Sequence, residues 1–358
     1  MLGRMESAQV PVTLGEILSQ PEIWRHCLSE LDRTRMLGGI LEQTDSRAEW
    51  MFVGCGSSFY LAEAAAASWT LLTNQPARAL PASEVLLFPD LAVGAARNTQ
   101  VVVISRSGQT SEAVRAAHLL SRHYRFPTLG ITCSAETPLE KACDRTVRLL
   151  AADEKSTVMT RSFSSILMAL QSLASEKSRR EEFSSALRRM SDHFAGSIDG
   201  LANRVEEFVA EHAFSDYVFL GQGPFYAVAR EASLKVTEMS CSYGQAFHTL
   251  EFRHGPKAIV SPRTCLAFFL SEGGLLAESE VLAEMHELGG VTMAICNHAD
   301  DDIRRTSDFV FELGFDGPEL AALAPFIVPA QLLGCFTGVK KNLNPDEPKN
   351  LSRVVILD

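Results

Sequence analysis

Short apolar runs, each closed by a loop of small residues, punctuate this chain. Met51-Phe52-Val53 leads into Gly54-Cys55-Gly56-Ser57-Ser58, and Val101-Val102-Val103-Ile104 leads into Ser105-Arg106-Ser107-Gly108-Gln109-Thr110. A segment rich in Ala and Leu at helical spacing follows each loop. Unbroken apolar runs of this length suit strands covered on both faces, so the pattern predicts strand–loop–helix units of a mostly parallel sheet.

Residues 1–11 read as frayed, and 12–45 alternate apolar and polar positions at helical spacing from Thr13 or Leu14 onward. Strands are then expected at 50–53, 85–87, 101–104, 128–132 and 146–150. Helices are expected at about 58–73 and 110–123, a short turn at Thr137-Pro138-Leu139-Glu140, and a long helix from Thr157 to about 175. The charges of 176–182 read as a solvated helix junction. The pattern then restarts. Tyr217-Val218-Phe219-Leu220-Gly221-Gln222-Gly223-Pro224 repeats Trp50 to Ser57 after 167 positions. Leu266 to Ser271 falls where the first half has Val101 to Ser105, and Val291 to Cys296 matches Thr128 to Thr132 in character. This predicts an internal duplication: an α/β chain with an N-terminal helical segment (1–45) and two domains (46–200 and 201–358).

Composition narrows the functional classes. The chain has 358 residues, 46% hydrophobic and 22% charged, with a net charge of −11. That balance argues against a nucleic-acid partner, because phosphate-backbone binding needs clustered Lys and Arg. The eight cysteines form no CxxC pair and the nine histidines no HxxxH pair, which argues against a metal centre. Most cysteines sit among apolar neighbours, as buried thiols do. No signal peptide is visible, so the expected compartment is the cytoplasm. Residues 320–339 carry no charge, but Pro325, Pro329 and Gln331 interrupt them, and they read as a buried helix rather than a membrane span.

The loops carry the candidate chemistry. Gly54-x-Gly56 lacks the third glycine of a dinucleotide fingerprint, Phe59 standing in its place, and no acidic residue ends a second strand at the required distance. The glycines alone fit a tight strand–helix turn, while Ser57 and Ser58 point toward ligand contact. For Gly221-x-Gly223 the tight turn is the preferred reading, since Pro224 removes a hydroxyl and a donor. In Ser105 to Thr110, three hydroxyls and a glycine stand at a helix start, which suits a phosphate. The plainer alternative is an ordinary N-cap by Ser107 or Thr110. Glu154 to Phe163 is a polar, hydroxyl-rich helix entry, equally readable as a capping segment. On one helix, Glu231, Lys235 and Glu238 share a face. They form either a surface ion-pair ladder or, given their Ala, Leu, Val and Met neighbours, a buried set able to move a carbon-bound proton. His254 precedes a Gly-Pro turn.

Together these segments, with Asn350-Leu351-Ser352, resemble the sugar isomerase (SIS) domain family from about residue 45 to the end. Within it the chain is similar to the two-domain enzymes: the isomerase half of glucosamine-6-phosphate synthase and stand-alone aminosugar-phosphate deaminases. Glu154-Lys155-Ser156 with Thr160-Arg161-Ser162-Phe163 resembles the deaminase/isomerase branch associated with tagatose or galactosamine phosphates. The resemblance implies two tandem SIS domains, each a mostly parallel sheet flanked by helices, and no cofactor. It implies that Ser105, Ser107 and Thr110, with the backbone of Arg106 and Gln109, hold a sugar phosphate, that Ser57 and Ser58 contact the sugar, and that Thr160 belongs to the substrate- or phosphate-binding set. Glu238 matches a base that shuttles a proton between C1 and C2, Lys235 a nearby lysine that binds hydroxyls or tunes that base, and His254 a ring-opening histidine supplied by a partner subunit, hence a homodimer. Two departures stand out. The synthase's glutaminase domain has no counterpart in this sequence, and Arg353 occupies the place of an imine-forming lysine, a role a permanently protonated guanidinium cannot fill. Both departures imply the catabolic direction: isomerisation of a hexosamine phosphate with loss of ammonia. A fructosamine-6-phosphate-type deglycase and a non-catalytic sugar-phosphate sensor are the alternatives.

Overall fold

A computed structural model describes residues 10–94 and 98–357. Most of the 1–11 segment expected to fray therefore lies outside the described residues. The chain divides into two compact units, each built around one sheet.

The first unit comprises Glu22–Glu154, Arg161–Arg188 and Ser352–Asp358. Its sheet has five strands: β1 (Glu49–Gly54), β2 (Ala77–Pro81), β3 (Thr99–Ile104), β4 (Thr128–Thr132) and β5 (Arg145–Arg148). All pairings are parallel and the order is β2-β1-β3-β4-β5. Every residue of β3 and β4 is buried, which explains the unbroken apolar run Val101 to Ile104 within β3. The helix Ser57–Thr73 packs on β1, its Trp69 ring stacked on Trp50 at 3.7 Å. Gly54 permits that approach, because a Cβ there would stand 2.3 Å from the Ser58 carbonyl oxygen.

The second unit comprises Met1–Pro21, Lys155–Thr160 and Arg189–Leu351. Its strands are β6 (Asp216–Gly221), β7 (Tyr243–His248), β8 (Thr264–Phe269), β9 (Val291–Cys296) and β10 (Phe309–Glu312). They are also all parallel, in the order β7-β6-β8-β9-β10. Matching β1–β5 to β6–β10 reproduces the same winding, so the expected duplication is present. It extends to backbone detail: Gly56 and Gly223 precede their helices at φ 55°, ψ −127° and φ 54°, ψ −129°. The helix Val328–Lys340 packs on the helix Pro224–Ser240 through Gly334 and Gly338. The apolar stretch Glu319–Lys340 has the length and hydropathy of a membrane span, yet 94% of its most apolar window is buried inside the protein, as expected.

Several boundaries differ from expectation. Residues 85–87 are not a strand; they belong to the helix Ala82–Leu87, which buries Ala82 and Val85 one turn apart. The strand pairing with β1 lies earlier, at Ala77–Pro81, and is half-buried with mixed polarity, so it leaves no apolar run. The long helix starts at Arg161 rather than Thr157. Before it, the Lys155 and Ser156 amides and the Ser156 hydroxyl all donate to the buried Glu16 carboxylate, a non-helical use of those groups. Residues 12–45 break into the helices Val12–Leu18, Gln20–Thr34 and Met36–Leu41, with Arg35 left-handed at φ 49°. The 137–140 turn is the start of a helix, Pro138–Ala142, capped by Thr137. The helix expected at 110–123 runs from Ser111 to His118 and then widens into a π-turn over Leu119–His123.

All eight cysteines are free thiols, and Cys241 is the exposed one. Burial pushes Cys27 up to about 11 and Cys55, Cys143, Cys296 and Cys335 up to about 12. Alkylation of the native protein with iodoacetamide at pH 8, read by mass spectrometry, should therefore modify Cys241 first. The other seven should react only after unfolding, since the thiolate is the nucleophile.

Candidate active site

In the first unit the loop candidates follow the carboxyl ends of β1 and β3, where open α/β sheets bind ligands. In the first unit, Ser57 and Ser58 open the helix after β1 and are buried. The turn Ser105–Thr110 follows β3. Ser105, Arg106 and Ser107 are buried, Thr110 is half-buried and Gln109 is exposed. The Ser105 amide donates to Ile131 at 3.0 Å, and the Gly108 amide to the Ser105 carbonyl at 3.0 Å. The Gln109 amide donates to the Ser107 hydroxyl at 3.2 Å, and the Ser105 hydroxyl to that of Thr110 at 3.3 Å. Gly108 sits at φ 62°.

Thr110 occupies the N-cap of the helix Ser111–His118, but its side chain makes no capping bond. The ordinary N-cap reading of this turn is therefore not what the structure contains. The hydroxyls lie instead at a helix N-terminus that favours an anion.

The Arg106 side chain turns into the protein. Its Nη1 lies 3.3 Å from Glu154 Oε2, with both side chains buried, and its Nη2 donates to the Arg353 carbonyl at 3.1 Å. The Arg353 guanidinium pairs with Asp153 at 2.6 Å. A cavity of about 730 Å³ in this unit, walled by Arg35, Glu42, Glu176 and Arg180 among others, shares no residue with the turn.

In the second unit, the helix Pro224–Ser240 places Glu231, Lys235 and Glu238 on one face. Lys235 Nζ lies 3.4 Å from Glu231 and 2.5 Å from Glu238. The Glu231 and Lys235 side chains are 0% exposed and that of Glu238 is 18% exposed. The set is thus a buried one rather than a surface ladder, and its one accessible carboxylate is that of Glu238. A lysine held between two carboxylates fixes their positions and leaves Glu238 as the acceptor that a ligand can reach.

His254 is exposed and follows the 3₁₀ turn Leu250–Arg253. That turn is pinned by Glu284, which takes Arg253 and Lys257 at 2.7 Å each. Thr160 is buried, and its carbonyl accepts from Gln331 Nε2 at 3.3 Å.

Three buried carboxylates with structural work were not assigned roles from sequence: Glu16, Glu154 and Glu278. Glu278 is the most telling. Ser271 stands one residue beyond Leu270, whose amide donates to Ile295 as that of Ser105 donates to Ile131; the Ser271 amide donates to Glu278 Oε2 at 2.7 Å and its hydroxyl to Oε1 at 3.0 Å. Burial raises the Glu278 carboxyl above its ordinary range. In the second half the chain's own carboxylate thus takes the Ser271 donors.

The sequence profile of the SIS domain matches residues 45–176 and 216–331. The chain is 28% identical to a candidate D-galactosamine-6-phosphate deaminase of Streptomyces coelicolor, covering 94% of this chain and 91% of that protein. It is 24% identical to the isomerizing glutamine–fructose-6-phosphate aminotransferase of Methanothermobacter thermautotrophicus, covering 96% of this chain but 57% of that one. The chain thus spans little more than half the length of that relative. Among solved structures, glucosamine-6-phosphate deaminase of Thermotoga maritima superposes with a TM-score of 0.81 at 29% identity, covering 97% of this chain and all of that one. Tagatose-6-phosphate ketose/aldose isomerase of Escherichia coli shares the fold with a TM-score of 0.85 at 20% identity, covering 98% and 99% of the two chains.

Proposed function

The chain belongs to the SIS domain family, and from that premise we propose that it is a phosphosugar aldose–ketose isomerase that deaminates a hexosamine 6-phosphate. The observation that carries the reading is the uncapped hydroxyl turn Ser105–Thr110 at a helix N-terminus. Full-length similarity to proteins named as aminosugar-phosphate deaminases supports the amino group at C2. In this reading Ser105, Ser107, Thr110 and the amides of Arg106 and Gln109 hold the phosphate. Ser57, Ser58 and Thr160 contact the sugar. His254 of a second copy in a homodimer opens the ring. Glu238, positioned by Lys235, removes the C2 proton and returns it to C1, which converts the aldose into a C2 imine. Water adds to that imine and ammonia leaves, so the products are a ketose 6-phosphate and ammonia. The enzyme is thus an isomerase with a hydrolytic step, acting in the cytoplasm. Arg353, bound to Asp153, takes no part as a nucleophile.

The test is ammonia release assayed across glucosamine, galactosamine and mannosamine 6-phosphates. At least one should be turned over. Inertness toward all of them would reject the proposal, and release of a free amino acid from a fructosamine phosphate would reassign the chain as a deglycase.

A further inference from the structure

We propose that Glu154 is a positioning residue for the phosphate turn, acting through Arg106. The inference rests on the reading of Ser105–Thr110 as the phosphate site. An arginine in the middle of such a turn would ordinarily be expected to reach for the anion. Here its guanidinium is buried and directed at a carboxylate with 0% side-chain exposure. Glu154 accepts from Arg106 Nη1 at 3.3 Å, from the Ser162 amide at 3.2 Å and from the Ser162 hydroxyl at 2.5 Å. It therefore ties the turn to the first residues of the helix Arg161–Ser178.

The Arg106 backbone is held as well. Its carbonyl accepts from the Cys133 amide at 2.8 Å and the Thr132 hydroxyl at 3.0 Å. The second guanidinium arm fixes the chain end through the Arg353 carbonyl. Beyond it, the Ser111 amide donates to the Val355 carbonyl at 3.2 Å, and the Leu357 amide to the Ser111 hydroxyl at 3.0 Å. One ion pair thus lies where the phosphate turn, a helix start and the chain end meet. A buried arginine that loses its carboxylate must find another partner or drag its own backbone toward water. The residue dragged is the one between Ser105 and Ser107.

The experiment compares the full-length protein with Glu154→Gln and with Glu154→Asp. Phosphate binding is read by titration with inorganic phosphate, amide exchange at Cys133 and Leu357 by mass spectrometry or NMR, and kinetics with whichever aminosugar phosphate the wild type turns over. Glu154→Gln should raise KM and weaken phosphate binding about tenfold or more, with kcat changed far less, because misplacing a binding group acts on binding before chemistry. Exchange at Cys133 and Leu357 should quicken together. Glu154→Asp, which keeps the charge, should restore part of the affinity, and it decides the matter alone should the glutamine variant fail to fold. Unchanged or tighter phosphate binding in a folded variant overturns the proposal, as does a fall in kcat at constant KM. Failure of the wild type itself to bind phosphate would instead sink the phosphate-site reading.

Discussion

Glu238→Gln should lower kcat for ammonia release by about 10²- to 10⁴-fold, the usual cost of losing one positioned acid–base group. Substrate should still bind with nearly unchanged affinity. The expectation follows from the geometry of the helix Pro224–Ser240. Glutamine has the shape of glutamate and keeps an oxygen toward Lys235, so the 2.5 Å contact survives as a neutral-acceptor hydrogen bond. What is lost is the negative charge and, in the proposed mechanism, the ability to take a carbon-bound proton. The variant isolates chemistry from structure, which a change at Lys235 would not. That ammonium also serves Glu231, whose side chain is fully buried, and breaking a buried pair costs about 3–5 kcal/mol. Steady-state kinetics and calorimetric binding on the same preparation decide the case. Loss of binding together with turnover would show that Glu238 is structural. Retained turnover would remove it from the mechanism, and a non-catalytic sensor would show no turnover even in the wild type.

Gly338→Ala should destabilise the second unit by about 1–3 kcal/mol, in the range of overpacked cores, although alanine is the better helix former by about 1 kcal/mol. A Cβ at position 338 would lie 2.3 Å from the Met239 carbonyl oxygen. The obstacle is backbone, so no side chain can swing aside, and the helix Val328–Lys340 must move off its neighbour. Met239 adjoins Glu238, so the displacement should also lower activity. Gly200→Ala supplies the control. It lies within the helix Ile198–Glu211, with nothing inside 4 Å of an added Cβ, and should be neutral or slightly stabilising. Denaturant unfolding of the two variants should separate them clearly; equal midpoints would contradict the close approach.

The parts legible in the sequence were those written in local physics. The central strands announce themselves because both faces are buried, so Val101 to Ile104 must all be apolar. The repeat is legible because two sheets of one winding need the same run at the same interval. The edge strands are not: Ala77–Pro81 and Tyr243–His248 are half-buried and mixed in polarity. The true start of the helix at Arg161 is hidden because Glu16, far away in sequence, claims the Lys155 and Ser156 amides. The hydroxyl turn and the Glu231–Lys235–Glu238 face were visible as residues at a spacing. The inward turn of Arg106 was not, since its partners lie 48 and 247 residues away.

The self-contained turn at Ser271 bears on occupancy. A group tethered to the backbone competes at a very high effective concentration, so no dissolved anion at cellular levels displaces Glu278. In the proposed reading, duplication doubled the scaffold without doubling the number of guests, and one chain takes a single phosphosugar.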